Sequence, residues 1–370
     1  MSLVTKKPIF VVLMRILLLP ISLLYHVVLW FRHKLYDWHL LKSTRFSEPV
    51  ICVGNLSLGG TGKTPHTEYL TRLLSSDYRL AILSRGYGRK SRGFVQGDAT
   101  CTAADIGDEP LQYLCKFDNI RVAVDEDRVK GVRMLMAQAM PPQVILLDDA
   151  FQHRKIEAGL NILLTDYQHL YCDDFLFPAG TLRDIPQAAR RAEIIVVSKA
   201  PKDLSDEAKA STIEKLKTDG KQKVYFSYLE YEALLPLNKK AKEVATNQIG
   251  KALLFTGIAN PEPLARHLNS CFSKVESIAF GDHHNYSGND LKRVIASYEA
   301  MEGCDKIIIT TEKDAARLAK TAYLCQLESV PIFAAPVRVH FHEEGNFNED
   351  IKDYVRKNSR DCCLASPNHP

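Results

Sequence analysis

The amino-acid sequence predicts an α/β protein: a P-loop-type core with a mostly parallel sheet, a second, smaller α/β domain and an apolar N-terminal helix. Between residues 50 and 200, short β-branched runs alternate with helical patterns, and most of these runs are continuously apolar. Strands buried on both faces have this composition, because helices cover both sides of a parallel sheet. A glycine-rich loop directly after the first run supports the same class, since such sheets bind ligands at the carboxyl ends of their strands.

The N-terminal segment is the first element. Residues 9–31 are apolar except for Arg15, Ser22 and His26, and Pro20 interrupts them. This length just spans a hydrocarbon core of about 30 Å, but Arg15 and Pro20 fit a tilted or interfacial helix equally well. A signal peptide and a buried core helix are the alternatives, although no small-residue cleavage site follows. We expect a membrane-associated helix within residues 1–35.

The core domain is predicted over residues 36–222. Its strands are the apolar runs Val50–Val53, Leu80–Leu83, Arg121–Val124, Val144–Leu147, Asn161–Leu164 and Ile194–Val197. A charged helical stretch, Asp203–Lys217, then precedes Val224–Tyr231, whose alternating pattern predicts a half-exposed strand. We place a β-stranded linker over residues 223–250.

The second half repeats the pattern of strand, polar loop and helix, which predicts a smaller α/β domain over residues 251–355. The strands are expected at Ala252–Phe255, Val275–Phe280 and Ile307–Ile309. Residues 356–370 are polar and contain two prolines, so they are predicted to be a disordered tail.

Bulk properties narrow the function. A chain of 370 residues with 46% hydrophobic content can fill two cores. The formal net charge of +4 is small and dispersed, so nucleic acid is not an expected partner. The nine cysteines include no C-x-x-C pair, which argues against a zinc site and favours reduced thiols in the cytoplasm.

A nucleoside triphosphate site is predicted where the first strand ends. Glycines can turn backbone N–H groups inward around phosphates, and the next helix adds its positive N-terminal end. Lys63 would reach the β- and γ-phosphates, and the Thr64 hydroxyl would bind Mg²⁺. Ser57 stands where the general pattern has glycine, and a glycine-rich turn that happens to precede a lysine is the alternative. The loop comprises Ser57, Leu58, Gly59, Gly60, Thr61, Gly62, Lys63, Thr64 and Pro65.

Two carboxylates, Asp148 and Asp149, end the buried run Val144–Leu147. Mg²⁺ prefers carboxylate and water oxygens, so either acid is a candidate for the metal or its water shell, unless the pair only caps a helix. Gln152 and His153 follow near the same strand end, as candidate contacts to substrate or phosphate.

If the nucleotide site belongs to a kinase, a base is needed to accept the proton of the acceptor hydroxyl. Asp108 is the best placed acid, on an expected loop between strands, and Glu109 is the alternative. His283 is the candidate that orients and tunes this carboxylate. Arg85 and Arg183 lie at loop positions suited to a transferring phosphoryl group or an anionic substrate.

The apolar N-terminal segment is followed by a series of ordered motifs between residues 50 and 316: GNLSLGGTGKTP, LSRGYGR, GDEP, DEDRVKG, LLDDAFQHR, LFPAGTLRD, TGIANP, FGDHH and TTEKDA. In these features the chain resembles the tetraacyldisaccharide 4′-kinase family, the lipid A 4′-kinases of Gram-negative bacteria. The resemblance implies a P-loop core and a smaller α/β domain joined by a β-stranded linker, with the nucleotide between them. It also implies ATP- and Mg²⁺-dependent phosphorylation of the 4′-hydroxyl of a tetraacyldisaccharide 1-phosphate, the lipid A precursor, at the cytoplasmic face of the inner membrane.

The resemblance also implies residue roles. Lys63 would bind phosphate in the transition state, Thr64 would be a metal ligand, and Asp148 and Asp149 the acids on the metal side. Asp108 would be the base and His283 its partner. Ser57 agrees with the family's own loop. Thr181 and Asp184 depart from it, because the family usually has Pro and Glu there, which puts a salt-bridge or metal-shell role at position 184 in doubt.

Two other classes stay open from the residues alone. Val197–Asp203 faintly resembles the guanine-reading motif of P-loop GTPases, which suggests a switch or a metallochaperone-like NTPase. A membrane-anchored, ATP-binding scaffold is the third reading, but it leaves Asp108 and His283 without a role.

Overall fold

The computed structural model describes residues 9–244, 249–319 and 323–359. Their contacts form two compact units. Described residues 9–85, 127–228 and 339–359 belong to the first unit, and those within 86–126 and 229–338 to the second. Each unit therefore combines separate stretches of chain, whereas local sequence patterns divide the chain into consecutive segments. Residues 86–126, which the sequence analysis assigns to the core domain, group with the second half.

The strands and helices of the described residues have the following bounds. The strands are β1 (Thr44–Arg45), β2 (Val50–Asn55), β3 (Leu80–Ser84), β4 (Val95–Gln96), β5 (Ile120–Val124), β6 (Val144–Asp148), β7 (Ile156–Glu157), β8 (Leu160–Asp166), β9 (Ile194–Ser198), β10 (Lys223–Tyr231), β11 (Leu235–Pro236), β12 (Lys251–Thr256), β13 (Lys274–Ala279), β14 (Lys306–Thr311), β15 (Ile332–Ala335) and β16 (Val337–Phe341). The α-helices are α1 (Ile9–Asp37), α2 (Lys63–Leu74), α3 (Ala103–Ile106), α4 (Asp108–Lys116), α5 (Arg128–Met136), α6 (Asp206–Leu216), α7 (Lys239–Lys242), α8 (Glu262–Cys271), α9 (Gly288–Ala300), α10 (Glu312–Ala319) and α11 (Glu344–Asn358).

The first unit is built on a sheet with the strand order β16-β10-β9-β8-β2-β6-β3. Strands β10, β9, β8, β2, β6 and β3 are parallel to their neighbours in this series. Every residue of β2, β3, β6 and β9 is buried, as expected for strands covered on both faces. The carboxyl end of β2 therefore lies between those of β6 and β8, and the glycine-rich loop leaves from that point.

Helix α1 belongs to the first unit, and its surface is unlike that of a core helix. Among residues 14–37, whose side chains are described, most of the large apolar side chains are exposed, including Leu17 at 70%, Leu24 at 67% and Val28 at 56%. Segment Met14–Asp37 is long and apolar enough to cross a membrane. The interpretation as a buried core helix is therefore wrong for this segment, because only a narrow side of α1 packs against the protein.

The second unit contains the antiparallel pair β4–β5 and a five-stranded sheet with the order β11-β15-β14-β12-β13. Strands β15, β14, β12 and β13 are parallel to their neighbours, and β11 is antiparallel to β15. Apolar clusters cover the two faces of this sheet, one around Phe255 and Leu291 and the other around Leu254 and Leu268.

The predicted strands all exist, with ends that differ by one or two residues. Two further features differ from the predictions. Asp108 is the first residue of helix α4 rather than part of a loop, because Gly107, with a φ of 90°, ends one helix and starts the next. Residues 356–358, predicted as part of a disordered tail, complete helix α11. Residues 360–370 of that tail lie outside the described residues.

Candidate active site

The glycine-rich loop that is predicted to bind phosphate, here called the phosphate-type loop, connects β2 to α2. Gly62 precedes α2 with a φ of 85°, and Gly59 has a φ of 114°. Both values lie in the left-handed region that favours glycine, so the sequence permits a tight loop here. Gly54 is also required, because a Cβ at this position would lie 2.6 Å from the Cβ of Phe151. The first helical residue of α2 is Lys63, so its ammonium group extends from the positive end of the helix.

Asn55, the last residue of β2, organises the loop. Its Nδ2 donates to Thr61 Oγ1 at 2.9 Å, and its Oδ1 accepts from Lys63 Nζ at 3.2 Å. Oδ1 also accepts from Arg183 at 2.5 Å. Asn55 was given no role from the sequence, although its position at the end of a buried strand, directly before the glycine-rich loop, could have indicated one.

Asp149 and Arg183 form the ionic centre of the site. Both terminal guanidinium nitrogens of Arg183, NH1 and NH2, contact the Asp149 carboxylate, with NH1 at 3.0 Å from Oδ2. Lys63 Nζ lies 3.8 Å from the same carboxylate. Burial alone would raise the pKa of Asp149, but Lys63 and Arg183 outweigh it and lower this pKa below its usual range. Asp149 also has a φ of 51°, the kind of backbone strain that functional sites retain.

Segment 176–184 and strand β9 hold the loop in place. Leu58 N donates to Thr181 O at 2.7 Å, and Arg183 N donates to Leu56 O at 2.8 Å. From β9, the buried Ser198 hydroxyl donates to Thr61 O at 2.8 Å. The backbone contacts explain how a residue more than a hundred positions away, Arg183, comes to lie beside the phosphate-type loop.

The other predicted residues of the first unit lie around this centre. Gln152 Nε2 donates to Asn55 O at 2.8 Å, so Gln152 is part of the cluster. Burial and the nearby Arg128 lower the pKa of His153 to about 4, so this histidine is neutral at pH 7. Arg85, at the end of β3, is exposed. Thr64 is half-buried on α2, and Asp148 is buried at the end of β6.

Arg128 is a site residue to which the sequence analysis assigned no role, although it lies in DEDRVKG. It is buried, and its NH2 lies 3.5 Å from Asp149 O. Burial and Arg85 lower its pKa, whereas Asp149 and Asp148 raise it. The end of β6 therefore carries two acids close to three basic side chains.

Asp108 and His283 meet in the second unit. Asp108 Oδ2 contacts His283 Nδ1 and accepts from Arg317 NH2 at 2.7 Å. Burial would raise the pKa of Asp108, but Arg317 and His283 lower it below its usual range. His283 is about one-third exposed and has a φ of 57°. Glu109, the alternative base, is paired with Lys313 at 2.6 Å.

Arg317 was missed by sequence reasoning. Its side chain is 4% exposed and joins Asp108 to Asp314 Oδ1, at 2.9 Å, and to Gly257 O, at 3.0 Å. It lies three residues after the Asp of TTEKDA, on the same helix. That spacing places both side chains on one helical face and could have indicated the pair.

Position 184, where the sequence departs from the family pattern, is fully buried. Asp184 Oδ1 lies 2.6 Å from His33 Nε2, so its described contacts include helix α1. Thr181, the other departure, donates to Asp174 Oδ2 at 2.6 Å.

A parallel sheet with a glycine-rich loop, a lysine at the start of the next helix and two acids on the adjacent strand define a P-loop phosphate-binding protein. Comparisons with known proteins define the particular kind. A family model described as tetraacyldisaccharide-1-P 4′-kinase matches residues 14–356. The chain belongs to the tetraacyldisaccharide 4′-kinase family.

Individual relatives agree with this assignment. A tetraacyldisaccharide 4′-kinase of Bacteroides fragilis is 44% identical over 358 residues, which cover 94% of this chain and 95% of the relative. One from Flavobacterium johnsoniae is 44% identical over 346 residues, covering 94% and 98%. The crystal structure of "apo" form LpxK from Aquifex aeolicus in complex with ATP has a TM-score of 0.71 and 31% identity, covering 92% of this chain and 99% of that one. The predicted family, the α/β fold class and the kinase class are thereby confirmed.

Proposed function

We propose that this protein transfers the γ-phosphate of ATP to the 4′-hydroxyl of a tetraacyldisaccharide 1-phosphate, a step of lipid A biosynthesis. The observation that carries the proposal is the Asn55, Lys63, Asp149 and Arg183 cluster at the end of β2. Two cations converge there on one side of a glycine-rich loop, where phosphate oxygens are stabilised best. The names of the relatives and the ATP bound by the Aquifex protein support the donor and the acceptor.

Mg²⁺ fits the residues of this site. Mg²⁺ takes hard oxygen ligands, usually one or two carboxylates together with water and phosphate oxygens. Thr64, Asp148 and Asp149 supply a hydroxyl and two carboxylates at the ends of adjacent elements, and the described residues contain no cluster of three His, Cys, Asp or Glu that would suit a transition metal better. When bound, the ion would neutralise charge on the β- and γ-phosphates. The three residues are therefore the proposed metal ligands.

The chain's own cations stabilise the transferring group in this proposal. Phosphoryl transfer passes through a loose transition state whose charge spreads over the equatorial oxygens. Lys63 and Arg183 are already oriented by Asn55 and Asp149, so little reorganisation is needed when that charge develops. Gln152 supports Asn55 by donating a hydrogen bond from Nε2 to the Asn55 backbone carbonyl.

Asp108 is the proposed base. Because its pKa is lowered, the carboxylate is ionised at neutral pH and ready to accept the proton of the acceptor hydroxyl. A weak base suffices, since the hydroxyl loses its proton late in a loose transition state. His283 would orient the carboxylate, which leaves Oδ1 for the substrate.

The exposed apolar side of α1 is the proposed membrane contact. Leu17, Leu24 and Val28 would enter the interfacial region on the cytoplasmic face of the inner membrane. The acceptor is itself an acylated lipid, so an enzyme held at the bilayer surface meets it there.

The test is a transfer assay with Mg-ATP and a defined tetraacyldisaccharide 1-phosphate. We expect a product with one additional phosphate on the 4′-oxygen. Asp108→Ala should lower kcat by about 100-fold or more while ATP binding is retained, because the base acts only on the acceptor. Asp118→Ala, an exposed acid after the same helix, is the matched control. Full turnover of Asp108→Ala would refute the base assignment, and guanine preference without lipid transfer would favour a nucleotide switch.

A further inference from the structure

Helix α1 uses its polar side chains to hold one segment of the first unit, residues 176–184. Ser22 Oγ donates to Leu176 O at 2.9 Å and accepts from Ala179 N at 3.0 Å. One turn further on, Tyr25 Oη donates to Arg183 O at 3.2 Å. These contacts bind the backbone of the segment at both ends. An otherwise apolar helix therefore forms hydrogen bonds with the backbone of the segment that carries Arg183.

The strongest of these contacts joins His33 to Asp184. His33 Nε2 lies 2.6 Å from Asp184 Oδ1, and both side chains are buried. The other ring nitrogen, Nδ1, accepts from Arg154 NH1 at 3.0 Å. Since an arginine can only donate, Nε2 must carry the ring hydrogen and donate it to Asp184. A neutral imidazole thus donates a hydrogen bond to a buried carboxylate, and the direction of this bond is fixed by Arg154.

Asp184 is held from its other side as well. Its Oδ1 accepts from Ile185 N at 2.9 Å, and Oδ2 lies 3.7 Å from the guanidinium of Arg191. Arg191 in turn stacks over the ring of Phe151, 4.1 Å from its centroid. Asp184 therefore has little freedom to move when His33 is in place.

We propose that helix α1 is a positioning element of the phosphate site, and that His33 and Asp184 are the positioning residues through which it acts. Arg183 is fixed at three points: its carbonyl by Tyr25, its guanidinium by Asp149 and Asn55, and its following residue by His33. The proposal rests on the proposed role of Arg183 in phosphoryl transfer. It also accounts for the short side chain at position 184, because the imidazole of the buried His33 contacts the Asp184 carboxylate directly.

The proposal separates two functions of the same helix. The exposed side would bind the membrane, whereas the packed side would orient Arg183. A misplacement of about 1 Å in a catalytic group can cost about 100-fold in rate. Loss of the packed contacts should therefore lower turnover even where the protein remains at the membrane.

The experiment compares His33→Ala with His26→Ala in the full chain. His26 is a half-buried histidine of the same helix and has no hydrogen-bond partner among the described residues. We expect His33→Ala to lower kcat by about 10- to 100-fold with little change in the KM for ATP or in the vesicle-bound fraction. His33→Gln, which keeps an N–H donor, should restore most of the turnover. His26→Ala should behave as the wild type.

Two further measurements keep the test decisive if His33→Ala is unstable. Tyr25→Phe removes only the hydrogen bond to Arg183 O, so it should lower kcat several-fold without loss of folded protein. In an Asp184→Ala background, His33→Ala should cause little additional loss, because contacting residues are not additive. Wild-type kcat in both His33→Ala and Tyr25→Phe would overturn the proposal. Absence of transfer by the wild type would instead refute the proposed function.

Discussion

Arg317 connects groups that are far apart in the sequence, Asp108, Gly257 and Asp314. A buried guanidinium has five donors in a fixed plane, so it can hold several acceptors in a defined geometry. Here it binds two carboxylates and a carbonyl. The proposed base is therefore oriented by a charge from helix α10 as well as by His283.

Arg317→Ala should change the pH dependence of transfer. Arg317 contributes to the lowered pKa of Asp108, so its removal should raise that pKa. Protonation inactivates the base, so the acidic limb of the kcat/KM profile should move to higher pH. Arg317→Lys keeps the positive charge but loses the planar set of guanidinium donors, so it should shift the acidic limb of the profile less. An unchanged acidic limb in Arg317→Ala would show that Asp108 does not set it.

His66 links the phosphate-type loop to strand β10. Its Nδ1 lies 2.7 Å from Gly62 O, and its Nε2 lies 2.8 Å from Ser227 Oγ. Burial lowers the pKa of His66 to about 4, from 6.5. The ring therefore stays neutral in the folded protein, donating to Gly62 and accepting from Ser227.

Acid should destabilise the protein through His66. The unfolded chain binds this proton below about pH 6.5, and the folded chain only near pH 4. The contribution of neutral His66 to the free energy of unfolding is therefore fully present above about pH 6.5 and is lost as the pH falls toward 4. The loss should approach roughly 3 kcal/mol at the acidic end. Urea unfolding of His66→Gln at several pH values should show a smaller loss than the wild type. His153 also has its pKa lowered to about 4, so His153→Gln is the companion variant.

The buried strands were predictable because each is a continuous apolar run between polar loops. The positions of Asp148, Asp149, Lys63 and Thr64 were predictable as well, since they stand at strand or helix ends, and their roles stay predictions. The link from Arg317 to Asp108 and the partnership of His33 with Asp184 were not, because they depend on contacts between distant stretches. Helix α11 also escaped prediction, since its short apolar pattern lies in a polar C-terminal region.

The apolar side of α1 can be tested apart from its packed side. Replacing Leu17, Leu24 and Val28 together by Ser removes three exposed apolar side chains. Burying each of them in a bilayer would contribute about 1.5–3 kcal/mol to the free energy of membrane binding. We expect a lower fraction bound to anionic vesicles in a flotation assay. The midpoint of thermal unfolding should hardly change, because exposed positions contribute little to folding.

Ile213→Ser is the control for that triple variant, because it removes a partly exposed apolar side chain from α6. Equal vesicle binding by the triple variant and the wild type would show that other surfaces attach the protein to membranes.

The chain builds a separate core for each compact unit. Phe255 is fully buried in the second unit, within the cluster that includes Leu291 and Ile308. The phosphate-type loop and its ionic cluster lie in the first unit. A defect in one core can therefore be introduced without touching the residues of the other.

Phe255→Ala should destabilise the second unit by about 3–5 kcal/mol, the usual result of truncating a buried phenylalanine. Transfer should fall, because Asp108 and His283 belong to that unit. Binding of a fluorescent ATP analogue to the first unit should persist at temperatures where transfer has been lost. Loss of both together would show that nucleotide binding depends on the second core.

The last described helix, α11, reaches back to the beginning of the strand that carries the phosphate-type loop. Tyr354 Oη donates to Val50 O at 3.1 Å, and β16 supplies the edge of the same sheet beside β10. During synthesis on the ribosome, every residue of the second unit emerges before Val339, whereas the first unit lacks an edge strand and a covering helix until β16 and α11 have been made. The unit that carries the phosphate-type loop is therefore the one that must wait to complete its fold.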